Sequence, residues 1–149
     1  MIVPLEEVAK AVGTDLGGTT FTILPHEHWL TADAILSPRL PEGVAHPMYA
    51  YYATQGGMRL TLSELFSLAH AKDDDGVMLG ETSLELHRPL RVGATYQVRG
   101  EVVDVQRKHG RSGIFDVLVF RLELVDDDGE AVAAAQNSFI FPRRDDGDA

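Results

Sequence analysis

The sequence contains no cysteine. Disulfide frameworks, thiolate zinc sites, iron–sulfur clusters and cysteine nucleophiles are therefore excluded. Positive charge is scarce as well: 13 Lys and Arg face 23 Asp and Glu, a formal net charge of −10. General binding to nucleic acid or to an anionic membrane needs the opposite balance, so neither partner is expected. A small anionic ligand such as coenzyme A would need a local cluster of Arg and Lys. Long apolar runs are also missing. Nothing approaches the roughly 20 apolar residues of a membrane span, and the opening Met1–Gly13 segment has no signal-like basic start. A cytoplasmic location is expected.

What is present is ordinary globular material. The chain has 149 residues, 44% of them hydrophobic and 24% charged, enough for one domain with a real core. The expected organisation is one domain over residues 1–142 and a polar, frayed tail over 143–149. Leu5, Val8 and Val12 fall at helical spacing within Pro4–Val12. The run Thr19 to Leu24 is β-branched and aromatic, a strand that Pro25 ends. His26–Leu36 reads as a short helix, and Ser37–Gly43 as a loop. In Val44–Gly57, Pro47 is suited to the first position of a helix that Gly56-Gly57 closes. Ala50 and Ala53 permit close packing there. Thr61-Leu62-Ser63-Glu64 is a capping-box pattern announcing another helix.

After Gly76 the periodicity changes to that of strands. One strand is expected to end at Arg88, and the next runs from Tyr96 to Val105 with a turn over Lys108–Gly113. A third has Leu118, Phe120, Leu122 and Leu124 on one side. The Asp126–Gly129 turn leads into a last strand from Ala131 to Phe141. Four successive strands imply an antiparallel meander. The order of one strand, helices and four strands gives an α+β fold.

Leu86-His87-Arg88-Pro89-Leu90-Arg91-Val92-Gly93 resembles the turn between strands two and three of MaoC-like hydratases and dehydratases. The likeness continues through Val98–Val105, the Gly110-Arg111-Ser112-Gly113 turn and Val125–Ala133, and covers about Val44 to Pro142. It is greatest to the N-terminal dehydratase type, similar to the dehydratase of fungal fatty-acid synthase. The resemblance implies a hot-dog fold, an antiparallel sheet wrapped around a central helix. It also implies an acyl-thioester substrate on CoA or acyl carrier protein, (R)-specific enoyl hydration or its reverse, and no cofactor or metal. A homodimer, or a heterodimer with a catalytic MaoC-like chain, would follow.

The family's catalytic Asp and His lie in a D-x-N-P-hydrophobic-H motif, and a glycine N–H near the helix start stabilises the oxyanion. In one alignment Val44 and Tyr49 stand where that Asp and His belong. In another, Ala45-His46-Pro47-Met48 lies on an Ala-His-Gly-Met helix start, so Pro47 replaces the glycine and Met48 N–H would substitute. Either way the dyad is missing from its place. The expectation is a partner chain that lacks the dyad. Acyl-CoA thioesterase is the alternative enzyme, with Glu42 its nearest carboxylate; a non-catalytic acyl-thioester-binding dimer is the third reading.

His46, ahead of a helix N-terminus, is the candidate for chemistry, as a neutral base or donor; otherwise it holds the turn. Met48, Tyr49 and Tyr52 are candidates for lining an acyl tunnel, as Tyr51 also could. Arg88, Arg91, Lys108 and Arg111 are candidates for the phosphates of CoA. His26-Glu27-His28 invites a metal, but residues at i and i+2 do not share a helix face, so a solvated helix start is expected.

Overall fold

The computed structural model describes residues 1–144. Its elements, in chain order, are α1 (Leu5–Val8) with a 3-10 turn (Ala9–Ala11), β1 (Thr19–Thr22), α2 (Pro25–Ala34), α3 (Tyr49–Gly56), α4 (Leu62–Leu68), β2 (Met78–Leu86), β3 (Thr95–Gly110), β4 (Gly113–Val125) and β5 (Ala131–Arg143). No helix among the described residues is long and apolar enough to cross a membrane.

All strand pairs are antiparallel and the sheet order is β1-β3-β4-β5-β2. This corrects the expected four-strand meander. β3, β4 and β5 are consecutive neighbours, but β2 lies at the far side of β5. The reason is the link from His87 to Ala94. It contains Pro89 and a fully buried Leu90, so it cannot be a tight hairpin. It crosses the end of the sheet instead, with His87 N–H donating to Val132 O (2.8 Å) and Gly93 N–H donating to Ile23 O (2.7 Å). By contrast, Asp126–Gly129 is the tight turn its sequence implies, with Gly129 in the left-handed region at φ 79°.

The core lies between the sheet and α3, which packs against β1, β2, β4 and β5. Period-two alternation on β4 turns Leu118, Phe120, Leu122 and Leu124 inward, all fully buried. Phe120 stacks on Phe139 of β5, ring centroids 5.7 Å apart. Tyr49, Ala50, Ala53 and Thr54 form the buried face of α3. Gly56 and Gly57 do more than end the helix. A Cβ at Gly56 would come within 2.5 Å of the Phe21 ring, and one at Gly57 would run into Val98, so both glycines let β1 and β3 approach. The α4 capping box forms as expected: Glu64 N–H donates to Thr61 Oγ1 (3.2 Å) and Thr61 N–H donates to Glu64 Oε2 (2.8 Å).

Several boundaries move: β2 stops at Leu86, short of Arg88, and β3 continues past Val105 to Gly110, so that only Arg111 and Ser112 of the expected Lys108–Gly113 turn lie between strands. The central helix begins at Tyr49, not Pro47, because His46–Met48 forms a tight turn with Tyr49 N–H donating to His46 O (2.9 Å). β5 runs to Arg143, one residue past the expected end of the domain. Residues 145–149 of the expected tail lie outside the described residues. Arg143 is held because its guanidinium donates to Asp116 Oδ2 (2.8 Å) and to Ala69 O (2.5 Å).

Candidate functional site

The start of α3 is the point where the sequence placed the chemistry, and α2 lies against it. His46 N–H donates to His28 Nε2 (2.9 Å), and Met48 N–H donates to His46 Nδ1 (3.1 Å). Both imidazoles therefore present an unprotonated nitrogen as acceptor. Burial in this cleft, followed by the neighbouring His46, holds His28 below the ordinary imidazole range. His28 is thus not the solvated residue expected from the His26-Glu27-His28 run. It turns inward while His26 stays exposed, so the two rings do not converge on a metal.

The amides beyond His46 are also engaged. Tyr49 N–H donates to His46 O, Ala50 N–H to Pro47 O (3.0 Å) and Tyr51 N–H to Met48 O (2.9 Å). Pro47 has no N–H. The Met48 N–H that would replace the glycine donor is already used by His46. His46 acts here as a side-chain cap on the turn into α3.

Tyr49 sits at the centre of an aromatic group. Its ring centroid is 5.5 Å from His28 and 5.6 Å from Tyr52, and its hydroxyl lies 3.4 Å from Thr31 Oγ1. Tyr49 and Tyr52, with Phe21, Leu30, Thr31 and Ile35, line an open, mostly apolar groove of about 540 Å³ between α2, α3 and β1. The two tyrosines are therefore brought together. Met48 is not among the residues lining that groove.

The four cations are not brought together. Arg88 donates to Asp126 Oδ2 (3.3 Å) and Glu130 Oε2 (2.7 Å), pinning the crossing link to the β4–β5 turn. Arg91 stays near the start of α3, where Val44 bridges to it, and lines a depression of about 560 Å³ with Arg88, Pro89 and Tyr96. Lys108 and Arg111 lie at the β3–β4 hairpin. Twelve residues of strand separate Lys108 from Tyr96, about 40 Å at 3.3 Å per residue.

A polar cluster that sequence reasoning missed lies at this other end. Asp116, with no exposed surface, accepts from Arg107 Nε (2.7 Å), Arg107 Nη2 (2.9 Å) and Arg143 Nε. Burial alone would raise its pKa, but these two guanidiniums hold it below the usual Asp value. The signal was present: Asp116 occupies the same strand phase as Leu118 and Phe120, where a carboxylate must find cations.

A five-stranded antiparallel sheet packed on a central helix is the hot-dog arrangement. Residues 38–135 match the family described as "FAS1-like, dehydratase domain region". The chain belongs to that family. Solved structures agree on the fold. The HadBC (3R-hydroxyacyl-ACP dehydratase) complex of Mycobacterium tuberculosis is 17% identical, with TM-score 0.67, covering 87% of this chain and 96% of that one. The ChsH1–ChsH2 complex of the same organism is 18% identical, with TM-score 0.65 and coverages of 97% and 96%. A MaoC-like dehydratase is 17% identical, with TM-score 0.69, covering 88% of this chain and 42% of that one. No curated protein matches the chain in sequence.

Proposed function

We propose that the chain is the dyad-lacking subunit of an (R)-specific enoyl-thioester hydratase or 3-hydroxyacyl-thioester dehydratase, shaping the acyl pocket while a companion hot-dog chain brings the Asp/His pair. Hydration adds water oxygen to the β-carbon and a proton to the α-carbon, and the thioester oxygen must be stabilised as enolate charge develops. The observation that carries the reading is the saturation of the helix start. Every amide from His46 to Tyr51 has an internal acceptor, and no carboxylate faces His46 Nδ1, which is occupied by Met48 N–H. With those amides engaged, the backbone of this turn offers no free oxyanion donor, which supports the reading. The apolar groove of Phe21, Leu30, Tyr49 and Tyr52 offers a place for the acyl chain.

The companion would join along the outer edge of β2, the sheet terminus with exposed residues on both faces. β2 runs from Met78, beside Ile140, to Leu86, beside Ala133. An antiparallel companion edge would set its own helix-start end at the same end of the joined sheet as this chain's Lys108 and Arg111, which could then serve the phosphates of the companion's CoA or phosphopantetheine. Arg91 serves the same role at this chain's end.

The purified chain alone should hydrate crotonyl-CoA at least about 10²-fold more slowly than the pair, since acid–base groups contribute about 10²–10⁴ each. A companion with an intact D-x-N-P-x-H motif should restore turnover and alter acyl-length preference. Full activity of the lone chain, abolished by His46→Ala, would overturn the reading and make His46 catalytic. Release of CoA from saturated acyl-CoA without hydration would point to a thioesterase instead.

A further inference from the structure

The outer edge of β2 has a chemical character of its own. A bulge interrupts its pairing with β5 between Leu79 and Glu81. A Cβ at the intervening Gly80 would come within 2.9 Å of Ser138 Oγ and 3.2 Å of Ile140, so the bulge is built into the packing. Glu81–Leu86 is left as the regular stretch available to another strand. Thr82, Leu84 and Leu86 face the helix side, in line with the inward Asn137, Ala135 and Ala133 of β5. Glu81, Ser83 and Glu85 face the other way. Glu85 accepts from Arg121 Nη1 and Nη2 (3.2 and 3.0 Å), whereas Glu81 has no ion pair among the described residues.

Two copies of this strand would pair about a two-fold axis through one residue. Registers centred on Ser83 or Leu84 pair five residues of the regular stretch; those centred on Thr82 or Glu85 pair three, the latter setting Glu85 opposite Glu85. Centred on Ser83, Glu81 of each copy stands opposite Glu85 of the other. Centred on Thr82, Glu81 stands opposite Ser83 and diagonal to Glu81 and Glu85 of the second copy. Centred on Leu84, Glu85 is diagonal to the same two carboxylates. The Ser83 and Glu85 registers set carboxylates directly opposite, which destabilises a strand pair, and the other two set them on the diagonal; because Glu85 is paired with Arg121, Glu81 carries the uncompensated charge. The net charge of −10 on each copy adds to the repulsion.

We propose that β2 is a docking edge that disfavours a second copy of this chain and takes a companion hot-dog chain whose edge strand carries Lys or Arg opposite Glu81. This rests on the companion reading above and names the chemistry of the companion. The test needs only this chain and two variants, Glu81→Lys and Glu81→Gln, both at an exposed position and checked for folding by circular dichroism. Sedimentation velocity is run at about 10 mM and about 500 mM salt, which shortens the Debye length from about 30 Å to a few Å. Wild type should self-associate weakly at low salt and about tenfold more tightly at high salt. Glu81→Lys should dimerise at least tenfold more tightly than wild type at low salt, with hydrogen-exchange protection appearing over residues 81–86. Glu81→Gln should fall between them, and the gain of Glu81→Lys should fade at high salt. A tight wild-type dimer insensitive to salt, or no gain with Glu81→Lys, overturns charge selection while leaving the hydratase reading intact. Full hydratase turnover by a monomer would instead defeat the companion reading, whatever Glu81 does.

Discussion

The two ends of the sheet each hold a polar cluster, and they are built on opposite principles. At the start of α3 two imidazoles accept from backbone amides beside the buried ring of Tyr49, with no ion pair among them. At the β3–β4 hairpin the groups are ionised and shut away, with Asp116 between Arg107 and Arg143. Perturbed, buried charge is a common sign of an active site. Here it marks structure. Arg107 also donates to Val3 O (2.8 Å) and Arg143 to Ala69 O, so one carboxylate ties the N-terminal segment, the end of α4 and the last strand to the sheet. In the cluster at the start of α3 the backbone N–H groups are matched, and the two imidazoles serve them as acceptors. A charged cluster can be a clamp, and a neighbouring uncharged contact can hold a turn.

The comparison breaks most readily at Asp116. Asp116→Ala leaves two guanidiniums facing a site without an anion, and breaking such a pair costs about 3–5 kcal/mol. The melting temperature should fall by about 10 °C, at about 2–4 °C per kcal/mol for a chain of this size. Calorimetry checks this. The pH dependence has a definite sign. Because the folded pKa is depressed, the contribution is complete above the ordinary Asp value of 3.8 and is lost as pH falls through the lower folded value. Urea titrations between neutral pH and pH 3 should show acid destabilisation in wild type that is smaller in the variant.

At the opposite end the effects shrink in order. Tyr49→Ala empties a buried position under the sheet and should cost about 3 kcal/mol, whereas Tyr49→Phe should cost less than about 1 kcal/mol because its hydroxyl contact is long. Chemical denaturation of both variants separates packing from hydrogen bonding. His46→Ala removes the acceptor for Met48 N–H, a loss of about 1 kcal/mol by analogy with other side-chain caps. Turnover of the companion-supported enzyme should be retained, and a loss of more than tenfold would return His46 to catalysis. The smallest effect concerns His28. Its folded pKa is lowered, so the unfolded chain binds the proton more tightly and stability declines as pH falls through the ordinary imidazole value of 6.5. Melting curves from pH 8 to 5.5 should show that decline in wild type and not in His28→Gln.

Much of the molecule was legible in the residues. Alternation located the long strands, and the Thr61–Glu64 box and the Asp126–Gly129 turn formed as their chemistry requires. The neighbour of β2 was not legible, because strand pairing across a link of eight residues is decided by where Leu90 is buried. His28 was misread because the His26-Glu27-His28 run looks like a solvated helix start. What drew it inward is the backbone N–H of His46, eighteen residues away. The basic residues looked like a group only along the sequence. A strand of β3's length carries Lys108 away from Arg91 faster than any local reading can show.

The placement of β2 beside β5 also constrains how the chain is made. β2 is made well before the residues that pair with it, Ala133 to Ile140. During that interval the β3–β4 hairpin can form from its own neighbours, but β2 has no strand to pair with, and the backbone groups that will bond to β5 stay unpaired. β5 thus acts as the bolt that fixes β2 to the sheet. A chain stopped short of Ala131 would lose β5 and the mate of β2 together, leaving both edges of β2 unpaired for chaperones and proteases to find.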